Sequence, residues 1–270
     1  MSSLVVEATA LTDRGCERKS NEDSAVFVQP GDAGTLRAKG VLALVADGMG
    51  GHRAGEVASV LAAETVRRVY YSSSAAPAAA LAEAFAEANR AIYERANGED
   101  ELHGMGTTCT ALAIRQDRGY LAHVGDSRLY LLRGGDIYQM TEDHSFVAEL
   151  VRLRVLTPDE AHERDDRNVI TRALGTEPAV TVAGWPRPLP LRAGDRILLA
   201  TDGLHDLLER ASIQDLSTAA DVHSAGERLV AEAKQRGGFD NISIVLIALL
   251  DPGEKRVESL AETRKMQVTS

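Results

Sequence analysis

The sequence predicts an α+β chain built in packed layers. Three observations point there. Short β-rich runs cluster together instead of alternating singly with helices, as a doubly wound parallel sheet would require. Two stretches of helical periodicity follow one another directly after the third run. At 270 residues, with 44% hydrophobic and 26% charged positions, the chain is long enough to bury a sizeable core.

The elements follow in order. Residues 4–12, 25–29 and 41–46 read as strands, the last too apolar to expose either face. From Arg53 the apolar spacing changes, and Ala54, Val57, Leu61, Thr65 and Val69 mark one face of a helix. Residues 72–74 break it. Pro77 suits the first turn of a second helix with Leu81, Phe85, Ala88 and Ile92 on its buried side, ending near Asn97-Gly98. Strands return at 107–114, 119–124, 127–132 and 137–140, the last two joined by Gly134-Gly135, and are read as an antiparallel meander. Residues 141–170 are read as a polar helical insertion over a sheet edge, with a capping box at Thr157 and Glu160 around Pro158. A buried strand at 196–200, a helix capped by Ser224 with Glu227, and a final strand at 242–250 complete the domain, placed at 1–250; residues 251–270 read as a charged tail.

Composition excludes several functions. Thirty Lys and Arg against 40 Asp and Glu give a net charge of -10 without a sustained basic stripe, which argues against nucleic acid or an anionic membrane as partner. Two cysteines, Cys16 and Cys109, stand far apart without metal-ligand spacing, so neither zinc nor a disulfide framework is expected. With no export signal or membrane span legible, the expected compartment is the cytoplasm.

The acids carry the chemistry. Asp47, Asp126 and Asp202 each follow an apolar run and sit beside glycine, and Asp240 precedes the final strand. If those ends converge, four carboxylates share one small volume, and their repulsion calls for hard divalent cations. A glycine beside a ligand lets its own carbonyl approach an ion, which makes Gly48 a further candidate.

Taken in order, Arg18-Lys19-Ser20-Asn21-Glu22-Asp23, Val45-Ala46-Asp47-Gly48-Met49-Gly50-Gly51-His52, Gly106-Thr107-Thr108, Val124-Gly125-Asp126-Ser127-Arg128-Leu129-Tyr130, Asp143-His144-Ser145, Ile170-Thr171-Arg172-Ala173-Leu174-Gly175, Ala200-Thr201-Asp202-Gly203-Leu204 and Asp240-Asn241-Ile242-Ser243 resemble the successive motifs of the PP2C-type metal-dependent serine/threonine protein phosphatases. The resemblance spans about residues 4–250 and is closest to the bacterial branch.

The resemblance implies a four-layer αββα sandwich, with helix pairs on two antiparallel sheets and a helical flap, residues 146–168, near a binuclear Mn²⁺ or Mg²⁺ centre. Asp47 would bridge both ions, the Gly48 carbonyl would bind the first, and Asp202 and Asp240 the second. Asp126, with Asp202, would bind a weaker third. Glu22 would hold an ion's water, and Arg18 the substrate phosphate. The implied reaction is hydrolysis of phosphoserine and phosphothreonine on proteins by direct attack of a metal-bridging hydroxide. Expected partners are phosphorylated proteins, including a cognate kinase, with the enzyme a monomer.

The sequence departs from the pattern at Met49, where eukaryotic relatives carry a histidine assigned as general acid; His52 stands three residues on, and the proton donor stays unassigned. Thr107, Thr108 and His144 are expected to make structural hydrogen bonds and Cys109 to lie in the core. Flap arginines Arg152, Arg154, Arg164 and Arg167 are candidates for contact with acidic or phosphorylated substrate. Two other readings compete with it. A two-metal nuclease needs a basic groove that the charge of -10 does not support, and a regulatory module that binds without turnover would have lost the acids at Asp47, Asp202 and Asp240.

Overall fold

The computed structural model describes residues 4–50 and 53–252; His52 and all but the first two residues of the charged tail lie outside them. Two antiparallel sheets form the middle of the molecule. In one the order is β1 (Val5–Asp13), β11 (Ile242–Leu250), β10 (Arg196–Ala200), β7 (Arg128–Arg133), β8 (Asp136–Gln139). In the other it is β2 (Asp23–Val28), β3 (Val41–Met49), β5 (Cys109–Arg115), β6 (Arg118–Val124), β9 (Leu189–Pro190), with the short β4 (Gly106–Thr107) beside β3.

The continuous apolar runs are explained by burial on both faces. Along β3, Leu42 and Leu44 face α2 (Arg53–Ser72) and α3 (Pro77–Gly98), while Val41, Ala43 and Val45 enter the layer between the sheets. Along β11, Val245, Ile247 and Leu249 enter that same layer, and Ile244 and Leu246 face α7 (Arg210–Thr218) and α8 (Val222–Gln235). Each such Leu or Ile contributes roughly 1.5–3 kcal/mol. The result is a helix pair, two sheets and a second helix pair, the layered α+β architecture expected.

Several expectations need correction. Of the expected stripe of α2, Ala54 and Thr65 are buried and Val57, Leu61 and Val69 pack half-buried at its margin; the centre of the seam adds Ala58, Ala62, Val66 and Tyr70, where small alanines let α2 lie close to α3 and β3. The meander is not continuous: β6 pairs with β5 and β9, β7 with β10 and β8, and the chain changes sheet at Gly125-Asp126-Ser127. The expected strand at 107–114 is broken at Thr108. Asp47 lies within β3 and not beyond its end. Residues 141–170 hold only two short helices, α4 (Phe146–Arg152) and α5 (Pro158–His162), the latter with the expected capping box. The cap of α8 is Asp221, which accepts from the Ser224 N–H, so Ser224 is inside the helix. A short helix, α1 (Ala33–Lys39), capped by Asp32, was not foreseen. No helix among the described residues is long and apolar enough to cross a membrane.

Candidate metal centre and phosphate site

One end of the sandwich collects the acids. Asp47 stands opposite Asp23 in the β2–β3 register. Its backbone N–H donates to Thr108 Oγ1 at 3.0 Å, and its carbonyl accepts from Thr108 N–H at 2.9 Å and from Thr107 Oγ1 at 2.8 Å. Thr108 Oγ1 also bonds Ser127 Oγ at 2.8 Å, tying β3 to the turn that carries Asp126. The two threonines therefore act as local fasteners, as expected. Asp202 opens the short α6 (Asp202–His205) directly after β10, and Asp240 precedes β11.

Asn241 gathers the N-terminal loop to this end. Its Nδ2 donates to the carbonyls of Arg14 at 2.9 Å and Ser20 at 3.0 Å, and its Oδ1 accepts from the Glu22 N–H at 2.8 Å. Arg18 then reaches Asp240 Oδ2 at 2.6 Å, with half of its side chain exposed. Glu22 accepts from Ser20 Oγ at 3.3 Å, and its carbonyl accepts from the Gly48 N–H at 3.1 Å. Gly55, in the first turn of α2, makes room for both: a Cβ there would overlap the Glu22 carboxylate and lie 2.8 Å from the Gly48 carbonyl oxygen.

The electrostatics follow from crowding. Burial, then the charges of Asp23, Asp202, Asp126 and Asp240, holds the Asp47 carboxyl well above its ordinary range. Burial, then Asp202 and Asp143, does the same for Asp126. Asp202 is raised by burial and by Asp240. Asp23 is raised to about 7, mainly by burial, although Thr201 Oγ1 donates to it at 2.8 Å. Asp126 Oδ1 and Asp202 Oδ1 are buried without any hydrogen-bond partner. Orphaned carboxylate oxygens in an all-oxygen donor set fit hard divalent cations. Among the described residues no three such side chains are already closed into a ligand cage.

A cavity of about 930 Å³ opens from Asp126 and Asp202 and runs beneath the flap. Of the flap arginines, Arg152 and Arg167 line it, paired with Glu149 at 3.2 Å and Asp206 at 3.9 Å, while Arg164 is away from it and paired with Asp166 at 2.7 Å. Sequence reasoning passed over Asp23, Asn241, Gly55, and the pair His205 and Asp206, whose Nδ1 and Oδ1 lie 3.3 Å apart on the cavity wall. For Asp23 the signal was present, since it closes the Asn21-Glu22-Asp23 motif. Cys109 is fully buried and its thiol is pushed up by burial, as a core residue.

Comparison with known proteins agrees with this architecture. The family model described as protein phosphatase 2C matches residues 20–243. The chain is 38% identical over 253 residues to the serine/threonine protein phosphatase PstP of Mycobacterium tuberculosis, covering 92% of this chain but 46% of PstP, so it spans less than half the length of that relative. It is 35% identical to the serine/threonine phosphatase stp of Listeria innocua, covering 87% of this chain and 93% of that one. Among solved structures, the M. tuberculosis PstP/Ppp phosphatase superposes with a TM-score of 0.81 at 38% identity, over 92% of this chain and 100% of that one. The PstP catalytic domain in complex with two manganese ions gives 0.78 over the same shares. The chain belongs to the protein phosphatase 2C family.

Proposed function

We propose that this chain is a divalent-cation-dependent phosphatase acting on phosphoserine and phosphothreonine of proteins, opposing serine/threonine kinases in the cytoplasm as a monomeric domain comprising residues 1–250. The observation that carries the reading is the convergence of Asp47, Asp126, Asp202 and Asp240 beside a phosphate-competent arginine, Arg18. The likeness to phosphatases, one of them solved with two manganese ions, supports it.

In this reading Asp47, the Gly48 carbonyl, Asp202 and Asp240 hold two Mn²⁺ or Mg²⁺ ions, and Asp126 with Asp202 holds a weaker third. When bound, such cations stabilise charge on the phosphoryl group and bring the pKa of water towards neutrality. The protein's own contribution is placement. Arg18 offers a planar donor fork to two phosphate oxygens and keeps Asp240 oriented from the same position. Glu22 orients water by hydrogen bonding, with its backbone fixed by Asn241 and Gly48. Thr107 and Thr108 hold the Asp47 backbone still, so that little reorganisation is needed on binding. The cavity beneath the flap takes the peptide that carries the phosphate.

The test is phosphate release from a phosphothreonine peptide with Mn²⁺ and with EDTA. Release that requires Mn²⁺ supports the reading. Absence of release at saturating Mn²⁺ refutes catalysis and leaves a binding module.

A further inference from the structure

Two buried histidines, His123 and His144, line the cavity with ring centroids 4.8 Å apart, and the proposed reaction uses neither. His123 is pinned on both sides: Nδ1 meets Thr110 Oγ1 at 2.8 Å and Nε2 meets the Glu142 carbonyl at 3.0 Å. His144 faces the crossover between the sheets. Its backbone N–H donates to the Gly125 carbonyl at 2.8 Å, and its ring Nδ1 accepts from the Gly125 N–H at 3.0 Å. One side chain and its own amide thus satisfy both backbone polar groups of a single glycine residue, one in the peptide before Gly125 and one in the peptide that leads to Asp126. Because Nδ1 accepts, the ring carries its proton on Nε2.

That glycine is under tight constraint. Gly125 has a φ of +108°, and a Cβ there would collide with Thr108, so no other residue fits without displacing the threonine that fastens the Asp47 backbone. The next residue is Asp126, whose Oδ1 is buried and unpartnered. His144 also grips the flap: its carbonyl accepts from the Thr171 N–H at 2.8 Å, and Ser145 bridges to Ile170. The two ends of the flap therefore meet at the residue that clamps the Asp126 turn.

We propose that His144 is a positioning residue: its ring holds the Gly125 N–H, and so the turn that directs Asp126, and links that direction to closure of the flap base. The inference rests on the proposed role of Asp126 toward a weakly held third cation. A backbone turn at a positive-φ glycine has few local restraints, and the clamp supplies two of them. An asparagine Oδ1 accepts from the same place as Nδ1, so His144→Asn retains the contact that His144→Ala removes.

The experiment uses the full chain and three readouts. Amide exchange reports the Gly125 N–H, calorimetric Mn²⁺ titration reports ion affinities, and hydrolysis of a phosphothreonine peptide separates kcat from KM. His144→Ala is expected to unprotect the Gly125 amide, to weaken the third Mn²⁺ and lower kcat by about tenfold to a hundredfold, and to leave the two tight ions in place. His144→Asn is expected to restore most of both, even if each variant melts at a lower temperature. A wild-type third-ion affinity and kcat in folded His144→Ala would overturn the inference, as would failure of asparagine to rescue when it does restore Gly125 protection. Failure of the phosphatase reading looks different, because the wild-type chain would then release no phosphate.

Discussion

Asp23 and Asp47 face each other directly across the β2–β3 pair, a buried and a half-buried carboxylate in register where a sheet ordinarily places apolar or oppositely charged partners. Thr201 donates to Asp23 at 2.8 Å and Thr108 fixes the backbone of Asp47, so the pair is held in place despite its repulsion. Such a juxtaposition costs stability and is retained where cations offset it.

The metal-free protein should therefore weaken as pH rises. The folded pKa of Asp23, about 7, lies above its ordinary 3.8, so the stability tied to its protonated form is present below 3.8 and lost as pH passes 7. His123 and His144, lowered by burial to about 4, act in the opposite sense but only below their ordinary 6.5. Between about pH 6.5 and 8 the melting temperature of the EDTA-treated protein is expected to fall, with Asp23→Asn flattening the slope. A slope unchanged in Asp23→Asn would remove Asp23 from the account.

Gly55→Ala sets two effects against each other. Alanine in a helix gains up to about 1 kcal/mol over glycine. Here its Cβ would lie 2.8 Å from the Gly48 carbonyl oxygen, backbone that cannot rotate away, besides displacing the Glu22 carboxylate. Overpacking of this kind costs about 1–3 kcal/mol, so the clash wins. The variant is expected to melt lower and to bind Mn²⁺ more weakly by calorimetry; a more stable variant with unchanged affinity would contradict the proposed cradle.

Arg18→Ala should mainly raise KM for small phosphomonoesters, because phosphate oxygens are present before the transition state. Loss of a charged hydrogen-bond pair is worth about 1.5–3 kcal/mol, or roughly tenfold to a hundredfold. Arg18→Lys should recover only part, lacking the fork. Steady-state kinetics showing unchanged KM in both variants would leave Arg18 only its ion pair with Asp240.

Legibility followed the range of the physical signal. Two-sided burial wrote β3 and β11 as continuous apolar runs, and three-to-four spacing wrote α2 and α3, because those patterns are local. The change of sheet at Gly125 was not legible, since four successive strands look alike whether they meander or cross over; Thr108 and His144, which enforce the crossover, lie far away in sequence. The acids at Asp47, Asp126 and Asp202 stood out by their glycine neighbours, and Asp240 by its place just before the final strand. Asn241 and Gly55 did not, because what they contribute is visible only as contacts to Arg14, Ser20, Glu22 and Gly48.

Asp126→Ala is expected to leave two tight ions per chain and lower kcat substantially, since a third cation would assist only as the P–O bond breaks. Mn²⁺ titration and kinetics on one preparation check it. Loss of both tight ions would place Asp126 in the main centre, and an unchanged kcat across the Mn²⁺ range would make it a turn residue.

The central claim is that Asp47 holds both tight ions and that turnover depends on them. The direct measurement is Mn²⁺ bound per chain by native mass spectrometry, taken alongside phosphate release from a phosphothreonine peptide, for the wild type and Asp47→Asn. The account predicts two ions and turnover that rises with their occupancy in the wild type. In Asp47→Asn it predicts loss of the ion pair and of turnover with the fold preserved, because an amide removes the charge and not the packing. An Asp47→Asn protein that keeps two ions and near-wild-type release would contradict it.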